Sequence, residues 1–360
     1  AARRLVDAGI VVVAAAGNDG TDINGRKIYG RIHAPGNDPS VITVGAANSF
    51  GTDNRSDDGV TTYSSRGPTR SYRTINGVRY YDHLIKPDVI APGNKLVAAE
   101  SRSNALITEF PRLECTPLSN NNHKMMRMSG TSMATPLVSA AAALMLQANP
   151  KLTPNMVKMI LMYTAQPLAG YNMLEQGAGQ LNVEGAIRLA KLVRTDLTNA
   201  TPRGTWLLTT TTPPTPYTTL DGYRFPWAQG ILLNRGYATG VSLITRYHRI
   251  YDLGVAIGDG VAIGDGVAIG DGVAIGDSVL TSTGVAIGDG YIFLQGLSLS
   301  TGVAIGDGVA IGDGIMLSDG VAVGDGVAIG DSGPIWALLV LTNGDAGAEM
   351  IAIQEDGSVQ

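Results

Sequence analysis

The residues best suited to chemistry lie in the sequence MSGTSMATP, from Met128 to Pro136. Ser132 follows a Ser-Gly-Thr turn there and begins an apolar run that predicts a buried helix. The N–H groups of the first turn and the positive end of the helix dipole then face whatever the Ser132 hydroxyl attacks. Acyl transfer develops an oxyanion at such a point, and fixed hydrogen-bond donors lower its barrier. Ser132 is therefore a candidate nucleophile.

A second candidate is Asn18, in the sequence AAGND just after the apolar run Ile10–Ala15. The end of a buried strand commonly presents a polar side chain to a crevice. An asparagine amide there can donate to an oxyanion without adding charge. An ordinary Gly-Asn-Asp turn explains the same residues, so this motif alone leaves both interpretations open.

Short apolar runs predict the strands that position these two side chains. The clearest are Ile10–Ala15 and Val41–Val44, and a third region joins Pro87–Pro92 to Leu96–Ala99. Such runs, bounded by Gly, Asn, Asp or Pro, are typical of parallel strands buried on both faces.

Three helices are predicted after these strands. Residues 133–147 are apolar nearly all the way round, which predicts a helix buried in the core. Thr153 and Pro154 predict the start of a second helix, and a third runs from about 183 to 192. The alternation of strands and helices predicts an α/β sandwich.

Five motifs in this order resemble the second half of a subtilase catalytic domain: VVVAAAGNDG, PSVITVGAAN, YSSRGPT, KPDVIAPG and MSGTSMATP. The stretch ANPKLTPNMVKMILMYTAQ is also similar to the C-terminal helix of that domain. The resemblance covers about residues 1–190. It implies a subtilisin-like three-layer α/β sandwich with a mostly parallel sheet, here incomplete, and serine endopeptidase activity on polypeptides through an acyl-enzyme.

By this resemblance Ser132 is the nucleophile and Asn18 the oxyanion donor. Ala15, Ala16 and Gly17 are expected to line part of the pocket for the substrate side chain. Gly130, counted with the substrate-binding residues, is expected to give the sharp turn of the chain before Ser132. The chemistry requires no cofactor, and no metal ligand is assigned. Structural calcium, which the family can carry, is not assigned to any residue. The family also implies an extracellular or cell-surface location.

The chain departs from the family pattern at the general base. Subtilases place their catalytic Asp and His upstream of the AAGN strand, the His in a His-Gly-Thr-His type of motif. None of the four histidines here is followed by Gly-Thr: His33, His83, His123 and His248. We expect His33 to lie at the pocket rim. The chain is therefore expected to be a C-terminal part that needs the N-terminal half of the domain, since Ser132 alone is a weak nucleophile.

Residues 254–331 form thirteen consecutive hexapeptides, mostly Gly-Val-Ala-Ile-Gly-Asp, with no residue inserted or lost. Val255 and Ile257, two residues apart, share one face of a strand, and Gly-Asp-Gly supplies a corner. Stacked corners and strands predict a β-solenoid with a Val/Ile interior. The unit resembles the repeat of left-handed β-helices, and a flatter two-sided solenoid is the alternative. The solenoid is either a structural stalk or a surface that binds a substrate, another surface or ice. The Asp residues at its corners either form solvated turns or bridge divalent cations.

The sequence predicts four units: a subtilase part at 1–194, a Thr/Pro-rich linker at 195–229, the solenoid at 230–334 and a capping hairpin at 335–360. Charge is distributed unevenly along the chain. Residues 1–249 hold 26 Lys and Arg against 16 Asp and Glu, whereas residues 250–360 hold 15 Asp and Glu and no Lys or Arg. This indicates two units with different surfaces rather than nucleic-acid binding.

Composition excludes some other classes of protein. The single Cys115 excludes an internal disulfide framework and a cysteine-based zinc site. No uninterrupted apolar run reaches the roughly 18 residues of a membrane span. Two functions then remain: a serine endopeptidase, or an inactive or cleaved protein whose purpose is the solenoid surface. An upstream segment with Asp-Ser/Thr-Gly and His-Gly-Thr motifs would favour the first.

Overall fold

The computed structural model describes residues 1–247, apart from 76–77, 116–118, 120–122, 199, 203, 234–235 and 241, together with short strands between residues 263 and 329. Over the first 190 residues the elements are, in chain order, α1 (Ala2–Asp7), β1 (Val13–Ala15), β2 (Ile42–Asn48), β3 (Gly59–Val60), β4 (Tyr72–Ile75), β5 (Val78–Tyr81), β6 (Val89–Pro92), β7 (Leu96–Ala99), α2 (Ala105–Glu109), β8 (Met125–Met128), α3 (Thr131–Ala148), α4 (Pro154–Thr164), α5 (Met173–Gln176) and α6 (Val183–Ala190).

A mainly parallel sheet lies at the centre of this part. β2 is parallel to β1 on one side and to β6 on the other, and β3 pairs antiparallel with the end of β2. Every residue of β2 is buried, as the apolar sequence predicts. β1 is shorter than its predicted strand because a turn at Gly9 follows α1, and the Ile10 N–H donates to the Leu5 carbonyl.

α3 packs against β1, β2 and β6. It begins two residues before the predicted helix and ends one residue after it. Ala134, Val138 and Met145 are buried on its inner face. The prediction of burial all the way round is wrong, because Leu137 and Leu144 on the other side are 37% and 44% exposed.

α4 and α6 pack against each other, and α6 also packs against α3. Thr153 caps α4 by accepting a hydrogen bond from the Met156 N–H, and Pro154 is the first helical residue, as predicted. Asn182 caps α6 by accepting from the Gly185 N–H. Every residue of α4 except Asn155 is buried, so this helix lies in the interior of the domain.

Residues 195–229 differ from the predicted Thr/Pro-rich linker, and residues 230–247 differ from the predicted first part of the solenoid. Their elements are β9 (Tyr217–Leu220), β10 (Tyr223–Pro226), β11 (Gly230–Leu233), β12 (Gly236–Thr239) and α7 (Ser242–Thr245). The four strands pair as two antiparallel hairpins, and β11 packs on α4. The segment carries enough buried apolar residues to close over α4 and α6: Leu207, Leu208, Phe225, Trp227, Ile231, Leu232, Leu243, Ile244 and Tyr247.

Trp227 is the centre of this contact. Its side chain is 2% exposed, and the indole N–H donates to the Thr218 hydroxyl at 2.9 Å. A Cβ on Gly185 of α6 would lie 2.9 Å from the indole ring, so the ring rests directly on the helix backbone. The hydroxyl of Thr218 in turn donates to Glu184 at 2.7 Å.

The described repeat residues form short strands: β13 (Ile263–Gly264), β14 (Val267–Ala268), β15 (Val279–Thr283), β16 (Tyr291–Phe293), β17 (Gly296–Thr301), β18 (Val309–Ile311), β19 (Gly314–Ser318) and β20 (Val327–Ile329). β15, β17 and β19 pair in parallel, and so do β16, β18 and β20. In both sets the partners are 18 residues apart, as Val279 and Leu297 are. The predicted capping hairpin at 335–360 lies outside the described residues.

Trp227→Ala should lower the free energy of unfolding by about 3–5 kcal/mol, because it leaves a cavity against α6. Trp206→Ala is the matched control. That ring is only partly buried, with the Arg246 guanidinium 3.7 Å from its centroid, and its loss should cost about 1 kcal/mol. Urea unfolding followed by circular dichroism measures both. Equally small effects would show that residues 195–229 do not pack on α6.

Candidate active site

The chain reaches Ser132 through a glycine in a conformation that other residues rarely adopt. β7 and β8 form an antiparallel hairpin, after which Gly130, with φ of 150°, is the N-cap of α3. The Gly130 N–H donates to the Gly93 carbonyl at 2.8 Å. Ser132 is the second residue of α3 and is exposed at the helix end, where first-turn N–H groups lack partners within the helix.

Asn18 lies beside this helix end. Its Oδ1 accepts from the Thr131 N–H at 2.9 Å and lies 3.0 Å from the Thr131 hydroxyl. A backbone N–H can only donate, so this bond fixes which atom of the amide is the oxygen. The amide nitrogen would be 3.3 Å from a Cβ on Gly130. It makes no hydrogen bond within the described part of the chain, and is therefore available to a substrate.

The predicted substrate-side residues lie next to this amide. Ala15 ends β1 and is partly buried, whereas Ala16 and Gly17 are buried. The Gly17 N–H donates to the Thr131 hydroxyl at 3.2 Å. His33 covers Gly17, since a Cβ on that glycine would lie 2.8 Å from His33 Cγ.

Among the described residues, no histidine or carboxylate is hydrogen-bonded to the Ser132 hydroxyl. His33 Nε2 and Asp19 Oδ2 are 2.8 Å apart, and both side chains are more than half exposed. His83 stacks on a tyrosine with 5.7 Å between ring centroids, and His248 lies outside the described residues. In residues 1–247, apart from the gaps given above, no three His, Cys, Asp or Glu side chains converge to hold a metal ion.

Two residues that organise the site are missed by sequence reasoning. Thr131 joins Asn18 to Gly17, and Gly93 lets the end of β6 approach the helix. A Cβ on Gly93 would lie 2.7 Å from the Ala46 Cβ and 2.9 Å from the Gly130 carbonyl oxygen. The Thr of SGTS and the Gly of APGN are visible in the sequence. Their partners are distant along the chain, so no local pattern reveals these contacts.

A comparison with protein families decides what kind of domain holds this site. The peptidase S8 model, described as the subtilase family, matches residues 1–185, slightly more than half of the chain. The chain belongs to the subtilase family. The family predicted from MSGTSMATP and four other motifs is thereby confirmed, and with it a subtilisin-like α/β fold for the matched residues.

Individual relatives also match about half of this subtilase. Serine protease AprX of Bacillus subtilis (strain 168) is 38% identical over 180 residues, which are 50% of this chain and 36% of AprX. Subtilisin-like protease SBT6.1 of Arabidopsis thaliana is 30% identical over 188 residues, 51% of this chain and 14% of that protein. Fervidolysin from Fervidobacterium pennivorans is a solved structure with 23% identity and a TM-score of 0.37, covering 51% and 23% of the two chains. This chain thus spans about a third or less of these curated relatives.

Thr131→Val should lower the free energy of unfolding by about 1–3 kcal/mol, because the buried Gly17 N–H loses its acceptor. Thr131→Ser keeps the hydroxyl and should cost less than about 1 kcal/mol. Urea unfolding of the two variants, read by circular dichroism, measures the difference. A loss in Thr131→Val no larger than that in Thr131→Ser would mean that the hydroxyl contributes no more than the methyl group, and that Thr131 does not join Gly17 to Asn18 as described.

Proposed function

We propose that this subtilase chain carries the nucleophile, Ser132, and the oxyanion donor, Asn18, of a serine endopeptidase. The observation that supports it best is the orientation of the Asn18 amide. Thr131 holds its oxygen, which leaves the nitrogen free beside the helix end that bears Ser132. A fixed neutral donor suits the oxygen of a peptide carbonyl as it becomes negative. The similarity to AprX and SBT6.1, both named as proteases, supports the same reaction.

In this proposal the Ser132 oxygen attacks the carbonyl carbon of the scissile peptide bond and its proton passes to a general base. The carbonyl electrons move to the oxygen, and this oxyanion accepts hydrogen bonds from Asn18 and from the amino end of α3. The C–N bond then breaks, and the leaving amine takes the proton from the base. Water hydrolyses the Ser132 ester by the same steps in reverse.

The base and its aspartate would come from a polypeptide equivalent to the N-terminal half of a subtilase domain. α3 offers a surface for it. Among the described helices α3 alone is long and apolar enough to cross a membrane, yet only 33% of it is buried. Its outer face carries the exposed Leu137 and Leu144, and β1 is hydrogen-bonded to another strand on one side only within the described sheet. An open sheet edge beside an apolar helix face is a surface that a further half-domain would cover.

Asn18→Ala, in a chain complemented by that upstream half, should lower kcat by about 10²–10³ and leave KM nearly unchanged, because the amide acts on the oxyanion and not on the bound substrate. The magnitude is that of the oxyanion asparagine of subtilisin. Hydrolysis of a chromogenic peptide measures it. Asn24→Ala is the control, since Asn24 is exposed and lies outside the turn that leads to Ser132. A higher KM at unchanged kcat would make Asn18 a binding residue and refute the assignment.

We further propose that residues 254–331 form a β-solenoid that serves as a stalk. The parallel strands support it, because their 18-residue offset equals three hexapeptides. Three steps for each turn of the chain favour a three-sided coil over the flatter two-sided one. In such a coil the valine and isoleucine of each unit stack on those of the next, which makes stability depend on contacts between neighbouring coils.

Ile287→Asp should destabilise the repeat region by several kcal/mol, because it puts an unpaired charge into the proposed apolar stack. Asp289→Asn changes an adjacent corner and should cost no more than about 0.5 kcal/mol. Thermal melts of the full chain, followed by circular dichroism in the β region, compare the two. Equal tolerance would show that the repeats are not packed in this way.

A further inference from the structure

Three ionisable side chains are buried together beneath the sheet. Lys86, Asp88 and Lys158 are each no more than 4% exposed. Lys86 Nζ lies 2.7 Å from one carboxylate oxygen of Asp88, and Lys158 Nζ lies 3.1 Å from the other. Removing such charges from water costs several kcal/mol for each ion before pairing is counted. The peptidase chemistry uses none of the three, so their presence requires another explanation.

Both ammonium groups hold the backbone of one loop, residues 33–41. Lys86 donates to the Val41 carbonyl at 2.9 Å. Lys158 donates to the same carbonyl at 3.0 Å and to the Pro39 carbonyl at 2.7 Å. These two carbonyls lie where the loop enters β2. The buried charges are therefore the hydrogen-bond partners of the end of the loop, which comes from a different part of the sequence from either lysine.

The other end of the same loop lies at the candidate active site. The His33 N–H donates to the Ala16 carbonyl at 2.9 Å, and the His33 ring covers Gly17. Between the two ends, the Thr43 hydroxyl donates to the Gly36 carbonyl at 2.6 Å. The Thr43 N–H donates to the Asp88 carboxylate at 2.7 Å. A continuous set of hydrogen bonds thus joins the buried cluster to the loop that flanks Asn18.

We propose that Lys86, Asp88 and Lys158 form a positioning centre for the 33–41 loop, and that the proton on Lys86 sets how firmly the loop is held against Gly17. The effect on peptide substrates rests on the proposed peptidase function. The coupling itself is a property of the fold and is measured without catalysis.

The charges around Lys86 give the direction of the effect. Burial lowers the pKa of Lys86 to about 7; Lys158 on α4 acts in the same direction, and Asp88 opposes it. The 33–41 loop brings one more charged group toward Lys86, the Asp38 carboxylate, which pairs with the Arg3 guanidinium at 3.8 Å. The residue of β11 that lines this site, Leu232, is apolar. With Lys86 protonated, the cluster holds two ammonium groups and one carboxylate in a dry site. With Lys86 neutral, a balanced pair remains.

Opening of the loop exposes Lys86 to water, where it binds its proton more tightly than in the closed state. Between the usual lysine pKa of about 10.4 and pH 7, the open state therefore carries more protons, and falling pH favours opening by up to about tenfold per pH unit. Below pH 7 both states are protonated, and the equilibrium no longer changes.

Hydrogen exchange of the full chain at pH 7 and pH 9, corrected for intrinsic rates, tests this coupling. Protection of residues 33–41 should be roughly 10–100-fold lower at pH 7 than at pH 9. In Lys86→Met that difference should vanish. Lys158→Met should lower protection about tenfold at pH 9, because two carbonyls lose a donor. It should also shrink the difference between pH 7 and pH 9, because it removes an ammonium group that lowers the pKa of Lys86. Lys151→Met, at an exposed lysine, is the control and should behave as the parent chain.

Residues 217–226 provide the internal reference, since their amides open without exposing Lys86. The positioning role is overturned if Lys86→Met keeps the pH dependence, or if protection changes equally in both segments, which would mark an effect on global stability alone. Lys86→Met replaces the ammonium by an apolar chain of similar length and decides the matter even where Lys158→Met fails to fold. In the complemented enzyme, Lys158→Met should raise KM about tenfold at nearly constant kcat, and an equal loss in kcat would contradict the proposal.

Discussion

The hydrogen bond from the Thr131 N–H to the Asn18 Oδ1 joins the end of β1 to the start of α3, across 113 residues of sequence. Gly130 has no side chain with which to cap the helix, so Asn18 satisfies one of its first N–H groups from another segment. The two ends of one amide therefore have different tasks. The oxygen fixes the helix against the sheet, and the nitrogen stays free for the role proposed for it beside Ser132.

This arrangement needs three backbone segments to approach closely, which restricts what can stand at the points of contact. Gly93 ends β6 against Gly130, where a Cβ would meet the neighbouring backbone. Tyr63 adds a hydrogen bond from its hydroxyl to the Gly93 carbonyl at 2.9 Å. The glycines bring the chain close enough, and Thr131 and Tyr63 then hold it there. Rigid placement of a donor before reaction is what makes it effective toward an oxyanion.

Local signals explain which features the sequence predicts well. The Thr153-Pro154 cap fixes the start of α4 with no help from distant residues, and the motif around Ser132 is contiguous. Burial of α3 and the packing of Trp227 depend on partners far along the chain. Outer residues such as Leu137 are apolar, but apolarity does not show whether a neighbour covers them. The many threonines and prolines around residues 205–229 make it hard to recognise in the sequence the spaced apolar residues that pack on α4 and α6.

The proposed nucleophile, which needs a general base from elsewhere, and the exposed apolar surface lie on the same helix. Ser132 is the second residue of α3, and the exposed Leu144 lies about three turns further along it. In the proposed enzyme, the half-domain that brings a base to Ser132 would also cover this face, and burying it contributes about 25 cal/mol for each Å² of apolar surface. The same contact would therefore stabilise the helix and activate its nucleophile.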